Sequence, residues 1–253
     1  MNLMMRLLRL GAACVFLAAV PSVRGAEYFV GKQGNDGSDG LTKEKAFLTI
    51  QKGVDALKTG DTLTIAPGEY FEHVKRDNLG GPGAETVIRA EIPGTVLLRG
   101  DVKAPVFKKV EGYRFVYSAP FDREVQAVNE VDTLTIMETA PSVLELEFTP
   151  GTCFYDPAEK MLYISTSDMQ PPGAHHYTVS VTKNYGLFLH RPERVIVEGI
   201  AACGFHSVDM QAGNPGDYAV SGILLGGAKQ CVIRECTAFL NANGIIENSG
   251  FFT

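Results

Sequence analysis

The feature that most constrains this chain is a repeat in its C-terminal part. Gly186-Leu187-Phe188-Leu189 recurs as Gly222-Ile223-Leu224-Leu225 and again as Gly244-Ile245-Ile246-Glu247. Val195-Ile196-Val197-Glu198-Gly199-Ile200-Ala201 recurs as Cys231-Val232-Ile233-Arg234-Glu235-Cys236-Thr237. The offsets are 36, 36 and 22 residues. A 22-residue unit holding two or three short strands fits one rung of a parallel β-solenoid, where inward side chains are buried only against the rungs above and below. The first unit is longer by 14 residues. The excess fits a loop around Asp209–Ser221, which carries Gly213, Pro215 and Gly216. Matching positions are aliphatic on aliphatic. Val195, Val197, Ile200, Ile223, Leu225, Cys231, Ile233 and Cys236 are therefore expected to point inward. Asn241 and Asn243 are expected at a turn, where Asn tolerates a left-handed backbone.

Upstream, Tyr28-Phe29-Val30 is a short β-rich run, followed by a dense turn cluster from Gly34 to Gly40. Phe47, Ile50, Val54 and Leu57 recur at three- and four-residue steps. They predict an amphipathic helix of about three turns over Thr49–Lys58, capped by Thr49 and ended by Gly60. Leu63 and Ile65 alternate with Thr in a strand that Pro67-Gly68 turns. Further strands are expected at Thr86–Ala90 and Val96–Arg99. From 101 to 183 the texture changes to alternating runs, at Arg114–Tyr117, Glu124–Val128 and Leu144–Phe148. A hairpin over Phe154–Ile164 turns at Asp156–Lys160. This stretch reads as a small antiparallel β insertion.

Composition excludes other classes. With 253 residues, 45% of them hydrophobic, the chain is neither disordered nor collagen-like nor a coiled coil. Charged residues make up 21%, against long surface helices, and the net charge of −6 argues against nucleic-acid binding. Arg6 and Arg9 precede a short apolar run to Val20, and Val23 and Gly25 stand at −3 and −1 before Ala26. This predicts a signal peptide over 1–25 and a secreted or periplasmic protein, with no stable membrane insertion after cleavage. Cleavage removes Arg6, Arg9 and Arg24 and no acid, taking the net charge from −6 to −9. Four cysteines remain, in no zinc-binding spacing.

The segment Tyr28–Val74, with its Tyr-Phe-Val start, Gly-Asn-Asp-Gly-Ser-Asp-Gly loop, Phe-Leu-Thr-Ile-Gln-Lys helix and Gly-Asp-Thr-Leu-Thr-Ile-Ala-Pro-Gly-Glu-Tyr strand, resembles the amino-terminal cap of secreted bacterial right-handed parallel β-helix proteins. These are pectate-lyase-like and include family 9 polysaccharide lyases. The resemblance implies an all-β fold: a right-handed parallel β-helix with an amino-terminal cap helix and the β insertion. It implies a cap and first rungs over 26–100, the insertion over 101–183, and incomplete rungs over 184–253. The stop inside a third late rung predicts the front part of a longer protein, or a truncated gene product.

By the same resemblance, the chain acts on or binds polysaccharide, including acidic ones, as a lyase or glycoside hydrolase with its active site partly or wholly outside this chain. The alternative is a non-catalytic β-helix that binds glycans or surfaces. Family lyases use a cation, often Ca²⁺, to acidify a sugar proton that Lys or Arg then removes. No cofactor is evident from the sequence; Ca²⁺ fits Asp209 and Asp217 in the long loop, as metal ligands. His206 just before that loop, and the basic run Lys183, His190, Arg191 and Arg194, are the candidates to meet an acidic sugar. The plainer reading of all these residues is solvated surface.

Overall fold

The computed structural model describes residues 25–207 and 220–248. Thirteen of its short strands form three parallel sheets, with the N-terminal strand Glu27–Val30 at one edge of the first. The first sheet contains Glu27–Val30, Thr62–Ile65, Thr86–Ala90, Val195–Glu198 and Val232–Arg234, in that order. The second contains Gly68–Tyr70, Val96–Arg99, Ile200–Cys203 and Thr237–Phe239. The third contains Val74–Asp77, Leu187–His190, Ser221–Gly226 and Asn243–Asn248. From Thr62 onward the chain visits first, second and third sheets in cyclic order, interrupted once between Arg99 and Leu187.

The register explains the sequence repeat. Leu187 pairs with Ile223 and Ile196 with Val232, each 36 residues on, and Ile223 pairs with Ile245, 22 residues on. The repeated aliphatics therefore sit beside one another. Val195, Val197, Ile200, Ile223 and Leu225 are buried in one apolar cluster with Leu63, Ile88 and Leu98. Each such side chain is worth about 1.5–3 kcal/mol when buried. Cys231, Ile233 and Cys236 are only partly buried against that cluster, because they lie in or just before Val232–Arg234 and Thr237–Phe239, the edge strands of the first and second sheets. None of the four described cysteines is in a disulfide.

The corners repeat too. Left-handed backbone occurs at Arg191 and Gly227, Arg194 and Gln230, Gly199 and Glu235, and Gly204 and Leu240, each pair 36 residues apart. The corner expected at Asn241 thus falls one residue earlier, on Leu240. Asn241 is buried instead: its Oδ1 accepts from Phe205 N at 3.0 Å and its Nδ2 donates to Ala202 O at 2.9 Å. It satisfies backbone groups that the turn leaves without a ladder partner. Asn243 opens a strand.

The helix spans Ile50–Ala56, two turns rather than three, with Thr49 Oγ1 accepting from Lys52 N at 3.2 Å as its N-cap. Asp61 ends it early. Its carboxylate accepts Lys58 N at 2.8 Å and Ala26 N at 2.7 Å, drawing the chain out of the helix. Ile50, Val54 and Leu57 still join the main core.

Residues between Arg99 and Leu187 form two further sheets. One pairs Asp101–Lys103, Ala127–Glu130, Thr135–Ile136 and Tyr177–Ser180 antiparallel. The other contains Lys108–Lys109, Tyr117–Pro120, Glu138–Thr139, Thr152–Asp156 and Met161–Ser165, with Glu138–Thr139 the one parallel neighbour. Val128, Leu162, Ile164 and Val179 give this part its own core. The strands expected at Arg114–Tyr117 and Glu124–Val128 lie about three residues further on. The run Leu144–Phe148 is a 3₁₀ turn over Glu145–Glu147. There Glu147 turns its carboxylate onto the Arg114 and Phe115 N–H groups at 2.9 Å, and only Leu146 is buried.

Candidate functional site

Strand alternation on the third sheet sends Leu187 and Leu189 into the core and Phe188 and His190 outward. The register sets Phe188 beside Lys75 and Leu224, and His190 beside Asp77 and Gly226. The Tyr185 ring stands edge-on to Phe188 at 5.1 Å and to His73 at 6.0 Å, and His190 lies 6.0 Å beyond Phe188. Lys75 Nζ sits 5.8 Å over the Phe188 ring. His190 Nδ1 is 3.1 Å from Asp77 Oδ1. The result is a strip of four rings on an outer sheet face, flanked by an ammonium and a carboxylate.

Gly226 keeps this strip open. A Cβ built there would lie 3.3 Å from Phe188 Cε2 and 3.9 Å from His190 Cδ2. Burial and the nearby Asp77 carboxylate push the Tyr185 hydroxyl above its ordinary pKa, so it stays a neutral donor.

The strip runs into a cleft of about 340 Å³ lined by His73, Phe71, Arg99, Asp101, Arg123 and Thr182. Arg99 anchors its floor. Its Nε donates to buried Asp101 at 2.8 Å and its Nη1 to Glu69 at 3.0 Å, with the guanidinium 6.0 Å from the Phe71 ring. The Asp101 hydrogen bond foremost, with the charges of Asp101 and Glu69, pushes the Arg99 pKa up against the effect of burial. A larger cleft of about 790 Å³ shares Phe71 and Arg99 and opens towards the inserted sheets.

Behind the larger cleft lies the fully buried Glu130. It receives Ser167 Oγ at 2.6 Å, Thr133 Oγ1 at 2.9 Å and the Tyr177 hydroxyl at 3.0 Å. Burial alone would raise its pKa, but the three hydroxyls outweigh it and hold the carboxyl below the ordinary range. His175 sits between Glu130, at 3.7 Å, and Asp168, at 3.2 Å, while His176 turns outward to Asp132 at 2.9 Å. The adjacent histidines thus face apart, on the extended backbone that leads into Tyr177–Ser180.

Of the residues singled out in the sequence, His190 lies on the strip. Arg191 and Arg194 occupy the left-handed corners that follow it, with Arg194 Nη1 bonded to Gln230 at 3.3 Å. Lys183 is held by Glu124 at 2.9 Å. His206 lines a separate cleft of about 350 Å³ with Gln126 and Met137, where burial pushes its pKa down. The five therefore do not converge on one cavity. Asp209 and Asp217 lie outside the described residues. Among the described residues no three His, Cys, Asp or Glu side chains are placed to hold a metal ion, and no helix is long and apolar enough to cross a membrane. Sequence reasoning passed over Lys75, Asp77, Tyr185 and Phe188. The available signal was Phe188 itself, an aromatic at an outward position between two inward leucines.

No family model matches the chain. No curated protein matches it. Solved structures do. XylC with xylose matches with a TM-score of 0.50 and 15% identity, over 78% of this chain and 41% of that one. A glycoside hydrolase matches with a TM-score of 0.56 and 12% identity, over 84% of this chain and 61% of that one. At these identities the likeness is one of fold. The chain spans less than two thirds of the length of either.

Proposed function

We propose that this chain is part of a secreted right-handed parallel β-helix protein that acts on carbohydrate, and that it binds a glycan along the outer face of the third sheet. The cyclic strand order supports the coil, and the predicted signal over 1–25 supports export. Two similar solved structures bear the names of carbohydrate proteins, one with xylose. The observation that carries the reading is the strip His73–Tyr185–Phe188–His190. Aromatic faces stack on the C–H faces of sugar rings, while Lys75, Asp77 and His190 offer hydrogen bonds to the hydroxyls around each ring's edge. With no Trp in the chain, Tyr and Phe must supply that stacking.

Degradation of the bound glycan is a second reading, favoured by the Asp77–His190 pair. A carboxylate on Nδ1 fixes the tautomer and leaves Nε2 to exchange a proton with a ligand.

The test is a binding survey of the chain against neutral and acidic oligosaccharides by calorimetry, with Phe188→Ala beside it. Loss of about 1–2 kcal/mol of affinity in the variant, roughly 5- to 30-fold, is expected if the ring stacks on sugar. Unchanged affinity in Phe188→Ala, or no binding to any glycan, sinks the reading.

A further inference from the structure

The cleft of about 790 Å³ is built unlike the strip. Phe71 forms its coil-side wall and is 60% exposed; Val106 on the insertion side is 84% exposed. Phe107 and Tyr177 meet edge-to-face at 5.7 Å on the same side. The Tyr177 hydroxyl is committed to buried Glu130, and burial, with that bond, pushes its pKa well up, so it shows the cleft a ring rather than an acid. Of the polar groups lining it, Arg99 is spent on Glu69 and Asp101 and His176 on Asp132, while the exposed Lys103 stands among the apolar residues of the lining. Large apolar side chains left open to water around a concave surface mark a binding site for apolar matter. An anion here would compete with Glu69 and Asp101 for Arg99.

We propose that this cleft binds an uncharged aromatic ring, the aryl group of a glycoconjugate whose sugar lies in the smaller cleft and on the strip. The shared residues Phe71 and Arg99 make the two clefts adjacent subsites of one ligand. The inference rests on the glycan reading and adds its substrate class: sugars carrying an aryl aglycone or substituent, in preference to bare chains.

The experiment titrates the chain with matched methyl and phenyl glycosides of xylose, glucose, galactose and glucuronic acid, and with phenol alone. For the sugar that binds, the phenyl glycoside is expected to bind about tenfold tighter than its methyl partner, the factor that roughly half a buried ring supplies. Val106→Asp, at a side chain that supports no core, should abolish that gain and leave the methyl glycoside unchanged. Phe107→Leu, which keeps bulk but removes the ring, should reduce it. Equal affinity of the phenyl and methyl partners, or a gain that survives Val106→Asp, overturns the aryl subsite and leaves the glycan reading standing. Phenol binding as tightly as the phenyl glycoside also overturns it, because the sugar would then contribute nothing. No binding of any glycoside overturns both.

Discussion

Asp77 and His190 are 113 positions apart in the sequence, and their side chains meet at 3.1 Å on the outer face of the third sheet. Parallel pairing of Val74–Asp77 with Leu187–His190 makes them neighbours, with the whole inserted region between them in the chain. His190 is 43% exposed and Asp77 50%, so water screens the pair and it contributes little to folding. Asp77→Asn is expected to change unfolding free energy by less than about 1 kcal/mol. It should weaken glycan binding several-fold by releasing the His190 ring. Urea denaturation beside calorimetry separates the two. A large loss of stability with binding intact would make the pair a structural brace.

Gly226 is the position where shape alone can be tested. Gly226→Val would place a Cβ 3.3 Å from the Phe188 ring and branch it towards His190. Val is a good strand residue, so the sheet should tolerate it, with a stability change within about 1 kcal/mol. The strip would be blocked, and glycan affinity should fall at least tenfold. Wild-type affinity in this variant would place the ligand elsewhere.

The parallel sheets were legible in the sequence because each repeat carries its own pairing. Leu187, Ile223 and Ile245 are both the sequence repeat and one in-register ladder. Val54 and Leu57 were legible because a helix on an apolar surface needs its 3.6-residue stripe. The helix's true end was not, since Asp61 stops it through hydrogen bonds that leave no periodic trace. The strip was hidden for a different reason. Lys75 and Asp77 reach Phe188 and His190 across the insertion, at an offset of 113 residues that repeats neither the 36 nor the 22 of the later strands. The clefts were hidden likewise, because Phe71 and Arg99 stand at the ends of strands of the parallel sheets while Val106 and Phe107 lie in the connection between Asp101–Lys103 and Lys108–Lys109.

Leu189 tests the core directly. It is fully buried, on a strand paired with Val74–Asp77 on one side and Ser221–Gly226 on the other. Leu189→Ala should cost about 2–5 kcal/mol, the lost transfer energy plus the cavity left in a ladder whose neighbours are fixed by backbone pairing. Leu134→Ala, at a residue 64% exposed, serves as the control and should cost little. Equal effects from the two would show that the parallel sheets do not bury what the register implies.

Glu130 ties stability to pH. Its carboxyl is held below the ordinary 4.5 because the hydroxyls of Ser167, Thr133 and Tyr177 outweigh the effect of burial. A depressed folded-state pKa means the unfolded chain takes up the proton first. The stabilisation is therefore fully present above about pH 4.5 and is lost as pH falls towards the folded-state value. Ser167→Ala removes the shortest of the three hydroxyl bonds, at 2.6 Å. At pH 7 the variant should be about 1.5–3 kcal/mol less stable, the cost of a hydrogen bond to a charged group. At pH 3 the difference should shrink, because a protonated Glu130 depends less on that donor. Other carboxylates are depressed too, among them Asp36 and Asp168, so wild-type acid sensitivity alone cannot be assigned to Glu130. The difference between wild type and variant isolates it. Denaturant unfolding at both pH values reads that difference, and a gap that stays constant from pH 7 to pH 3 would show that Ser167 acts by packing rather than by holding a charge.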